Sequence, residues 1–274
     1  MSGPTQIAVL QMTSGIDPAE NAATIVAAVE RAAGDGAAML FTPEMSGLLD
    51  RDRTRAATHI VAEDANPVLA AVREAAARHG VWTALGSLAV AREDGRWANR
   101  SLLVGPDGAV VARYDKIHMF DVDLASGESW RESKAYAPGE EVVTVDDTPI
   151  GRLGLTVCYD IRFPALFEEL GRGRCEAIAI PSAFTRPTGE AHWHLLNRAR
   201  AVEASAWVIA AAQTGRHADG RETYGHSLVV DPWGEVVLDI GTEPGLGFAK
   251  IDPARTAEVR AQLPSLANRR DIAG

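Results

Sequence analysis

The segment Gly151–Pro164 constrains the fold more than any other, because an apolar strand runs directly into a cysteine and a helix follows at once. Residues 152–157 are predicted to form the strand, and Pro164 suits the first turn of a helix that reaches about Leu170. Cys158 would then lie on a strand-to-helix turn. Backbone N–H groups and a helix N-terminus at such a turn lower a thiol pKa and favour the nucleophilic thiolate. A lone cysteine at a strand end is also commonly buried filler, so its role depends on its neighbours.

The order of elements on either side of this segment is similar. Each half runs strand, helix, strand, helix, strand and then antiparallel strands, without a sequence repeat of fixed period. The predicted strands are 6–11, 37–42, 81–90, 97–104, 109–114, 152–157, 177–180, 207–212 and 246–251, with a hairpin over 226–240. The predicted helices are 18–34, 67–79, 164–170, 190–205 and 253–262. This order predicts an α/β fold of two similar sheets, each with helices on one face and its other face buried against its twin.

The chain shows no internal boundary. No Ser/Gly linker or charge run separates the halves, so residues 1–274 are predicted to form a single domain. The polar segment 118–140 has little periodicity, which in a compact domain is typical of a functional loop. An extended tail is expected from about residue 263.

Charge and cysteine content exclude several functional classes. The chain carries 27 Lys and Arg against 37 Asp and Glu, and this net charge of −10 argues against nucleic acid or an anionic membrane as the main partner. Local arginines can still bind an anionic small molecule. Two cysteines, Cys158 and Cys175, allow neither a disulfide framework nor a zinc quartet. No stretch resembles a signal peptide or reaches membrane-spanning length, so a reducing cytoplasm is the expected location.

Two further residues occupy strand ends, where α/β sheets commonly present catalytic side chains. Glu44 follows the strand 37–42, and Lys116 follows the strand that ends near Tyr114. Taken singly, Glu44 would be a salt-bridged or solvated carboxylate and Lys116 a surface ammonium. Together with Cys158 they supply a base, a cation and a nucleophile, which acyl transfer through a thioester requires.

The segments around these three residues resemble the nitrilase or carbon–nitrogen hydrolase superfamily, and the resemblance extends from Ile7 to Arg270. It is carried by Phe-Thr-Pro-Glu44, by Tyr-Asp-Lys116-Ile-His-Met-Phe-Asp121 and by Gly-Leu-Thr-Val-Cys158-Tyr-Asp-Ile-Arg-Phe-Pro164. The resemblance implies a four-layer α-β-β-α sandwich that forms a homodimer through its α faces. It also implies a Glu44–Lys116–Cys158 triad, with Glu132 helping to place the substrate and the lysine. No metal or cofactor is implied.

Within the superfamily, the chain is most similar to the Nit branch. The similar segments are Pro181-Ser-Ala-Phe184, Thr188-Gly-Glu-Ala-His-Trp193, Ala210-Ala-Ala-Gln-Thr-Gly-Arg-His217, Tyr224-Gly-His-Ser227 and Val230-Asp-Pro-Trp-Gly234. The third of these looks more like the deaminated glutathione amidase group than its sibling, the ω-amidase group, which acts on α-ketoglutaramate and related 2-oxo amides. One departure is Glu190, where these groups more often have proline. Nitrile hydrolysis and a non-catalytic interaction module on the same fold remain alternatives.

The triad suggests a mechanism for a small amide substrate that carries a carboxylate. Glu44 takes the proton of Cys158, and the thiolate attacks the carbon of a primary amide and releases ammonia. Lys116 and the backbone N–H of Tyr159 are the expected donors to the oxyanion.

Three side chains are candidates for substrate contact. Arg162 lies about one helical turn after the nucleophile and could bind a carboxylate bidentately, or it could pair with Asp160 or Glu169. His192 could contact the substrate or only anchor a helix start. Arg216 follows the strand 207–212 and could meet the far end of a longer substrate, if that strand runs parallel to the one before Cys158.

Overall fold

The computed structural model describes residues 3–270 of the chain, except for 124, 126 and 128. Its strands are β1 (Thr5–Gln11), β2 (Met39–Phe41), β3 (Trp82–Ala91), β4 (Trp97–Val104), β5 (Val110–Asp115), β6 (Asp121–Asp123), β7 (Ser129–Arg131), β8 (Val143–Thr148), β9 (Gly151–Leu155), β10 (Ala177–Ala179), β11 (Trp207–Ala210), β12 (Thr214–Arg216), β13 (Glu222–Tyr224), β14 (Leu228–Val230), β15 (Val236–Asp239) and β16 (Gly245–Ile251). Its α-helices are α1 (Pro18–Gly34), α2 (Arg53–Ala57), α3 (Pro67–His79), α4 (Pro164–Arg172), α5 (Arg186–Ala204) and α6 (Pro253–Gln262).

Two six-stranded sheets share the same topology. The first has the order β16-β1-β2-β3-β4-β5 and the second the order β8-β9-β10-β11-β14-β15. In each sheet the second, third and fourth strands are parallel, and the flanking pairs are antiparallel. The similarity of the two halves that the element order predicted is therefore confirmed.

The sheets pack face to face through one apolar core. Side chains of the first sheet, such as Val9 and Phe41, share this core with side chains of the second, such as Leu155 and Ile178. A second core lies between the outer face of the first sheet and helices α1 and α3. Helices α4 and α5 contribute apolar side chains such as Phe167 to the first core. The four-layer α-β-β-α sandwich is thus confirmed.

The helices begin where the sequence predicts, with one exception. Asp17 and Asn66 accept backbone N–H groups at the starts of α1 and α3, each followed by a proline that needs no hydrogen bond there. Helix α5 begins at Arg186, four residues before the predicted start at Glu190. The reason is that Pro187 in the first turn and the extended Thr185 before it already form a helix start.

Two polar segments contain more structure than predicted. The loop 118–140 holds the hairpin β6–β7 and a 3₁₀ turn at Glu132–Lys134, with 124, 126 and 128 outside the described residues. Edge strand β8 was not predicted, because two aspartates follow its β-branched residues 143–145 at an irregularity in the pairing with β9.

The C-terminal residues are not extended as expected. Residues 263–268 form turns, closed by hydrogen bonds from the N–H groups of Ala267 and Asn268 to the Pro264 carbonyl. Arg269 then donates to the Glu168 carbonyl on α4, which ties this segment to the second helical layer. Residues 271–274 of the expected tail lie outside the described residues.

Across the described part of the chain, none of the helices combines the length and the apolar composition needed to cross a bilayer.

Candidate active site

Three strand ends meet at one cavity between the two sheets. Glu44 follows β2, Lys116 follows β5 and Cys158 follows β9, so the face-to-face packing of the sheets brings all three together. All three line a cavity of about 1050 Å³, a volume that includes its open mouth. The prediction that they would share a site is consistent with this placement.

The backbone at the nucleophile is unusual. Cys158 has a φ of 49°, a left-handed conformation that non-glycine residues rarely adopt and that commonly marks functional turns. Its N–H donates to the Pro181 carbonyl at 2.9 Å. That amide is therefore committed to the protein, which leaves the next one, on Tyr159, as the backbone candidate for an oxyanion.

The carboxylate of Asp160 holds the turn at Cys158 in place through hydrogen bonds. It is fully buried and accepts the Val157 N–H at 2.9 Å, the Tyr114 hydroxyl at 2.6 Å and the His118 N–H at 3.0 Å. These donors come from both sheets and from the loop after Lys116. Asp160 therefore holds the turn that carries Cys158 against the end of β5, which Lys116 follows.

Lys116 lies between two carboxylates in a nearly closed pocket. Its Nζ is 3.0 Å from Glu44 Oε1 and 2.9 Å from Glu132 Oε2. Asn99 donates its amide to the same two residues, at 2.9 Å to Glu44 and 3.1 Å to Glu132. The lysine side chain is only 2% exposed, so these contacts are little screened by water. The loop residue Glu132 thus joins the cluster, as the resemblance implied.

Glu44 is held on both sides. The Ala183 N–H donates to its Oε2 at 2.9 Å, and Gln213 donates to its carbonyl oxygen at 2.9 Å. Gly86 lets strand β3 pass close by, since a Cβ there would lie 2.1 Å from the Thr42 carbonyl oxygen and 2.4 Å from that of Pro43. The carboxylate is therefore positioned by backbone contacts as well as by its charged partner.

The expectation that the turn lowers the thiol pKa is wrong. Burial, and next the negative charge of Glu44, raise the pKa of Cys158 well above its ordinary value, and Lys116 offsets this only in part. For Lys116, burial acts to lower the pKa, but the charges of Glu132 and Glu44 outweigh it and leave the pKa raised. The resting pair is thus a neutral thiol beside a permanent cation, so the proton must be removed during the reaction.

The structure separates the substrate-contact candidates. Arg162 and Tyr159 line the cavity. Among the described residues, Arg162 pairs with no carboxylate, neither that of Asp160 nor that of Glu169, and lies 5.3 Å from the Phe184 ring centroid. His192 is exposed and contacts Arg162 weakly, with Nδ1 3.4 Å from its guanidinium, but does not itself line the cavity.

Arg216 is not brought to the cavity. Strand β11 does run parallel to β9 through β10, as the expectation required, but the chain then turns into the hairpin β12–β13, which leaves Arg216 exposed. Arg221, at the start of the returning strand of that hairpin, lines the cavity instead. The expectation that Arg216 reaches the cavity is therefore wrong, and Arg221 is the arginine of this hairpin that lines it.

Several residues of the site were missed by the sequence reasoning. Asn99 is fully buried in a strand, and Gln213 follows an apolar strand; the strand-end criterion that selected Glu44 and Lys116 could have found Gln213. Trp130 lies in the loop 118–140, whose pairing into a hairpin had no periodic signal. The cavity wall also includes Arg51, which lies in the irregular segment before α2, and Arg53, the first residue of that short helix.

One other cluster of side chains has metal-ligating groups, within the part of the chain that the structure describes. His194, His226 and Asp239 place one ligand atom each within 4.8 Å of one another. Both imidazoles contact the carboxylate directly, at 3.0 Å and 2.9 Å, so the three residues also satisfy one another without an ion.

Comparisons with known proteins identify the family of the chain. The carbon-nitrogen hydrolase family model matches residues 6–261. A deaminated glutathione amidase from Yersinia enterocolitica is 42% identical over 272 residues, which cover 97% of this chain and 93% of that protein. The solved NitFhit protein of Caenorhabditis elegans has a TM-score of 0.90 and 38% identity, covering 98% of this chain and 66% of that chain. Nit3 of Saccharomyces cerevisiae, of branch 10 of the nitrilase superfamily, has a TM-score of 0.85 and 27% identity, covering 96% of each chain. The chain therefore belongs to the carbon–nitrogen hydrolase family, in the Nit branch of the nitrilase superfamily.

Proposed function

We propose that the chain is an amidase that hydrolyses a small carboxylate-bearing amide through a thioester on Cys158, and that its substrate is deaminated glutathione or a close analogue. The observation that supports this most directly is Lys116 held between Glu44 and Glu132 in the cavity that Cys158 lines. A base, a cation and a nucleophile are thus together, and the base and the cation are almost completely buried.

The proposed steps follow from this arrangement. Glu44 takes the thiol proton as the sulfur of Cys158 bonds to the amide carbon, and Lys116 with the Tyr159 N–H stabilises the oxyanion. Glu44 then gives the proton to the leaving nitrogen as the C–N bond breaks. Water, deprotonated by Glu44, attacks the thioester carbon. The C–S bond then breaks, Glu44 returns the proton to the Cys158 sulfur, and the free acid leaves.

The identity of the leaving group follows from the substrate. Deaminated glutathione contains only secondary amides, one of which joins a 2-oxoglutaryl group to cysteinylglycine. Hydrolysis of that bond releases an amine, cysteinylglycine, whereas ammonia is released only from a primary amide such as α-ketoglutaramate. The expected release of ammonia therefore belongs to the ω-amidase alternative, and we propose amine release for the main activity.

Arg162 is the proposed site for the carboxylate of the acyl half. Its guanidinium lies on the cavity wall four residues after the nucleophile, without a protein carboxylate among the described residues. A guanidinium can bind a carboxylate with two parallel hydrogen bonds. We propose that His192, which contacts Arg162, only helps to orient it.

A substrate comparison tests this function. Purified enzyme is given deaminated glutathione or α-ketoglutaramate, and 2-oxoglutarate, cysteinylglycine and ammonia are each quantified. We expect equal amounts of 2-oxoglutarate and cysteinylglycine from the first substrate, with a higher kcat/KM than for the second. A higher kcat/KM for α-ketoglutaramate would favour the ω-amidase, and no product from either amide would contradict the proposal.

Assembly and location are also proposals. We propose a homodimer through the α4–α5 face, because Leu195 and Val202, seven residues apart on one face of α5, are 66% and 42% exposed. Light scattering on eluting protein should give twice the chain mass. We propose a reducing compartment, the cytoplasm, because the mechanism needs a free thiol at Cys158.

A further inference from the structure

We propose that Arg221 and the indole N–H of Trp130 form a second anion subsite in the outer part of the cavity, which binds the terminal carboxylate of the leaving half of the substrate. The inference rests on the proposed amidase function and adds to it a reason for a substrate with two separated carboxylates. Arg162 would bind the first carboxylate, and this subsite the second.

Arg221 is oriented by the protein but keeps its terminal nitrogens available. Its Nε donates to Asp219 at 2.7 Å, and Asp219 is fully buried at its carboxylate. Among the described residues, its two terminal nitrogens donate no hydrogen bond. A guanidinium fixed through Nε, with its outer edge unsatisfied, presents the pair of parallel donors that a carboxylate accepts.

Trp130 supplies a donor beside this guanidinium. The Arg221 guanidinium carbon lies 4.9 Å from the centroid of the Trp130 ring, so the two groups are stacked. The Trp130 Nε1 is buried and, within the described part of the chain, has no hydrogen-bond partner. A buried donor without an acceptor costs free energy. Because water does not reach this nitrogen, a ligand carboxylate beside the ring would bind it only after a small shift of the indole that opens Nε1 to the cavity.

Contacts between three segments hold this subsite in place. Asp219 also accepts the backbone N–H of Arg51 at 2.9 Å. Arg53 donates to the carbonyl of Arg131, the neighbour of Trp130. The segments around residues 51, 130 and 221 are therefore joined at the mouth of the cavity, and Arg51 and Arg53 add exposed positive charge there.

Two carboxylates that line the cavity at the same rim have arginine partners of their own. Asp50 lines the cavity but is engaged by Arg55 through two hydrogen bonds, of 2.6 and 2.8 Å. Glu222 also lines it and lies 3.9 Å from Arg186. A chain whose net charge is −10 thus places three arginines at this entrance, with the buried Asp219 offsetting part of the Arg221 charge.

The test compares two substrates of equal length. One is deaminated glutathione, and the other is its derivative with a terminal carboxamide in place of the glycine carboxylate. We expect wild-type kcat/KM to favour the acid, and the acid-to-carboxamide ratio to fall about ten- to hundredfold in Arg221→Gln, the loss expected for hydrogen bonds to a charged group. The ratio should also fall in Trp130→Phe, which keeps the ring but removes the N–H.

Arg31→Gln is the matched control, because it removes one exposed arginine from helix α1 on the outer face of the first sheet and should leave the ratio unchanged. If Arg221 only clamped Trp130 in place, Arg221→Gln would lower kcat/KM equally for both substrates. An unchanged ratio in that variant would overturn the subsite.

A binding measurement keeps this result separate from the proposed function. Calorimetry on Cys158→Ala with the same two compounds, with and without Arg221→Gln, needs no turnover. Preference for the acid that disappears with Arg221→Gln supports the subsite even if neither compound is hydrolysed, a result that would overturn the proposed function alone. Equal affinity for both compounds would overturn the subsite even if wild type hydrolyses them.

Discussion

Lys116 Nζ lies 3.0 Å from Glu44 Oε1, so the cation that is expected to stabilise the oxyanion is in direct contact with the expected base. Both side chains are almost completely buried. A charge placed on either residue is therefore felt strongly by the other and by the adjacent thiol of Cys158. Proton transfer from the thiol and stabilisation of the oxyanion are thus coupled within one cluster.

This coupling predicts opposite effects of two variants on the thiol. Glu44→Gln removes a negative charge that raises the pKa of Cys158, so its pKa should fall; Lys116→Met removes a charge that lowers it, so its pKa should rise. The rate of iodoacetamide labelling, measured against pH in a Cys175→Ala background, reports the thiolate fraction. A shift of both profiles in the same direction would contradict the assigned contacts.

Glu132 and Asn99 should act by positioning the catalytic pair. Glu132→Gln and Asn99→Ala each remove contacts to the cluster, and we expect kcat to fall by roughly a hundredfold, as small misplacements of catalytic groups do. Ser101→Ala, two residues along the same strand, is the control for local disturbance. Steady-state kinetics and melting temperatures, measured on the same variants, distinguish a positioning role from a purely structural one. A loss of kcat that follows the loss of melting temperature in all three variants would indicate a structural role only.

The sequence predicted most of the sandwich because its signals are local. Apolar runs ended by Gly34-Asp-Gly36 or opened by Asn66-Pro67 mark helix and strand limits without reference to distant residues. Glu44, Lys116 and Cys158 were found because each follows a strand, and the motifs around them resemble one family. Strand β8 was missed although its run Val143-Thr-Val145 favours a strand, because the two aspartates that follow interrupt the pattern.

Gly86 should tolerate no side chain. An added Cβ would meet the backbone oxygens of Thr42 and Pro43, which cannot move without shifting Glu44. We expect Gly86→Ala to lower the free energy of unfolding by about 1–3 kcal/mol, the usual cost of overpacking, and to reduce kcat as well. Gly34→Ala is the control, because its Cβ would meet nothing within 4 Å. Equal free energies of unfolding for the two variants in denaturant would contradict the close approach of Gly86 to the Thr42 and Pro43 carbonyls.

His217 should make stability depend on pH below about 6.5. Burial is the main cause that lowers its pKa, while its ring contacts the Ser14 carbonyl at 2.9 Å and the Thr223 hydroxyl at 2.7 Å. Below the ordinary histidine pKa, His217 binds a proton in the unfolded chain but remains neutral in the folded chain. The free energy of unfolding should therefore fall with pH, by up to about 1.4 kcal/mol per unit for this group.

His217→Gln should remove the contribution of this residue to the pH dependence of the free energy of unfolding. The control is His59→Gln at an exposed histidine, which should keep that contribution. The slope of the free energy of unfolding against pH is measured by chemical denaturation between about pH 5 and 8, because a histidine titrates in this range. Identical slopes in wild type and His217→Gln would contradict the buried neutral imidazole.

The details of the site that sequence missed depend on long-range geometry. The direction of the thiol pKa was wrong because the turn was considered without the burial and the Glu44 charge that the second sheet brings. Arg216 was expected at the cavity because the turn signal Asp219-Gly220, which reverses the chain after it, was not used. Neither error could be corrected without knowing which segments face the same cavity.

The central claim, that an amide is cleaved through a thioester on Cys158, is tested most directly by rapid acid quenching during turnover of deaminated glutathione, followed by peptide mass spectrometry. We expect a 2-oxoglutaryl adduct on the peptide that contains Cys158, and none on the peptide that contains Cys175. Cys158→Ala should be inactive and unlabelled with an unchanged fold by circular dichroism, and Cys175→Ala should keep most of its activity and label. An active Cys158→Ala enzyme, or an acyl group on any other residue, would contradict the claim.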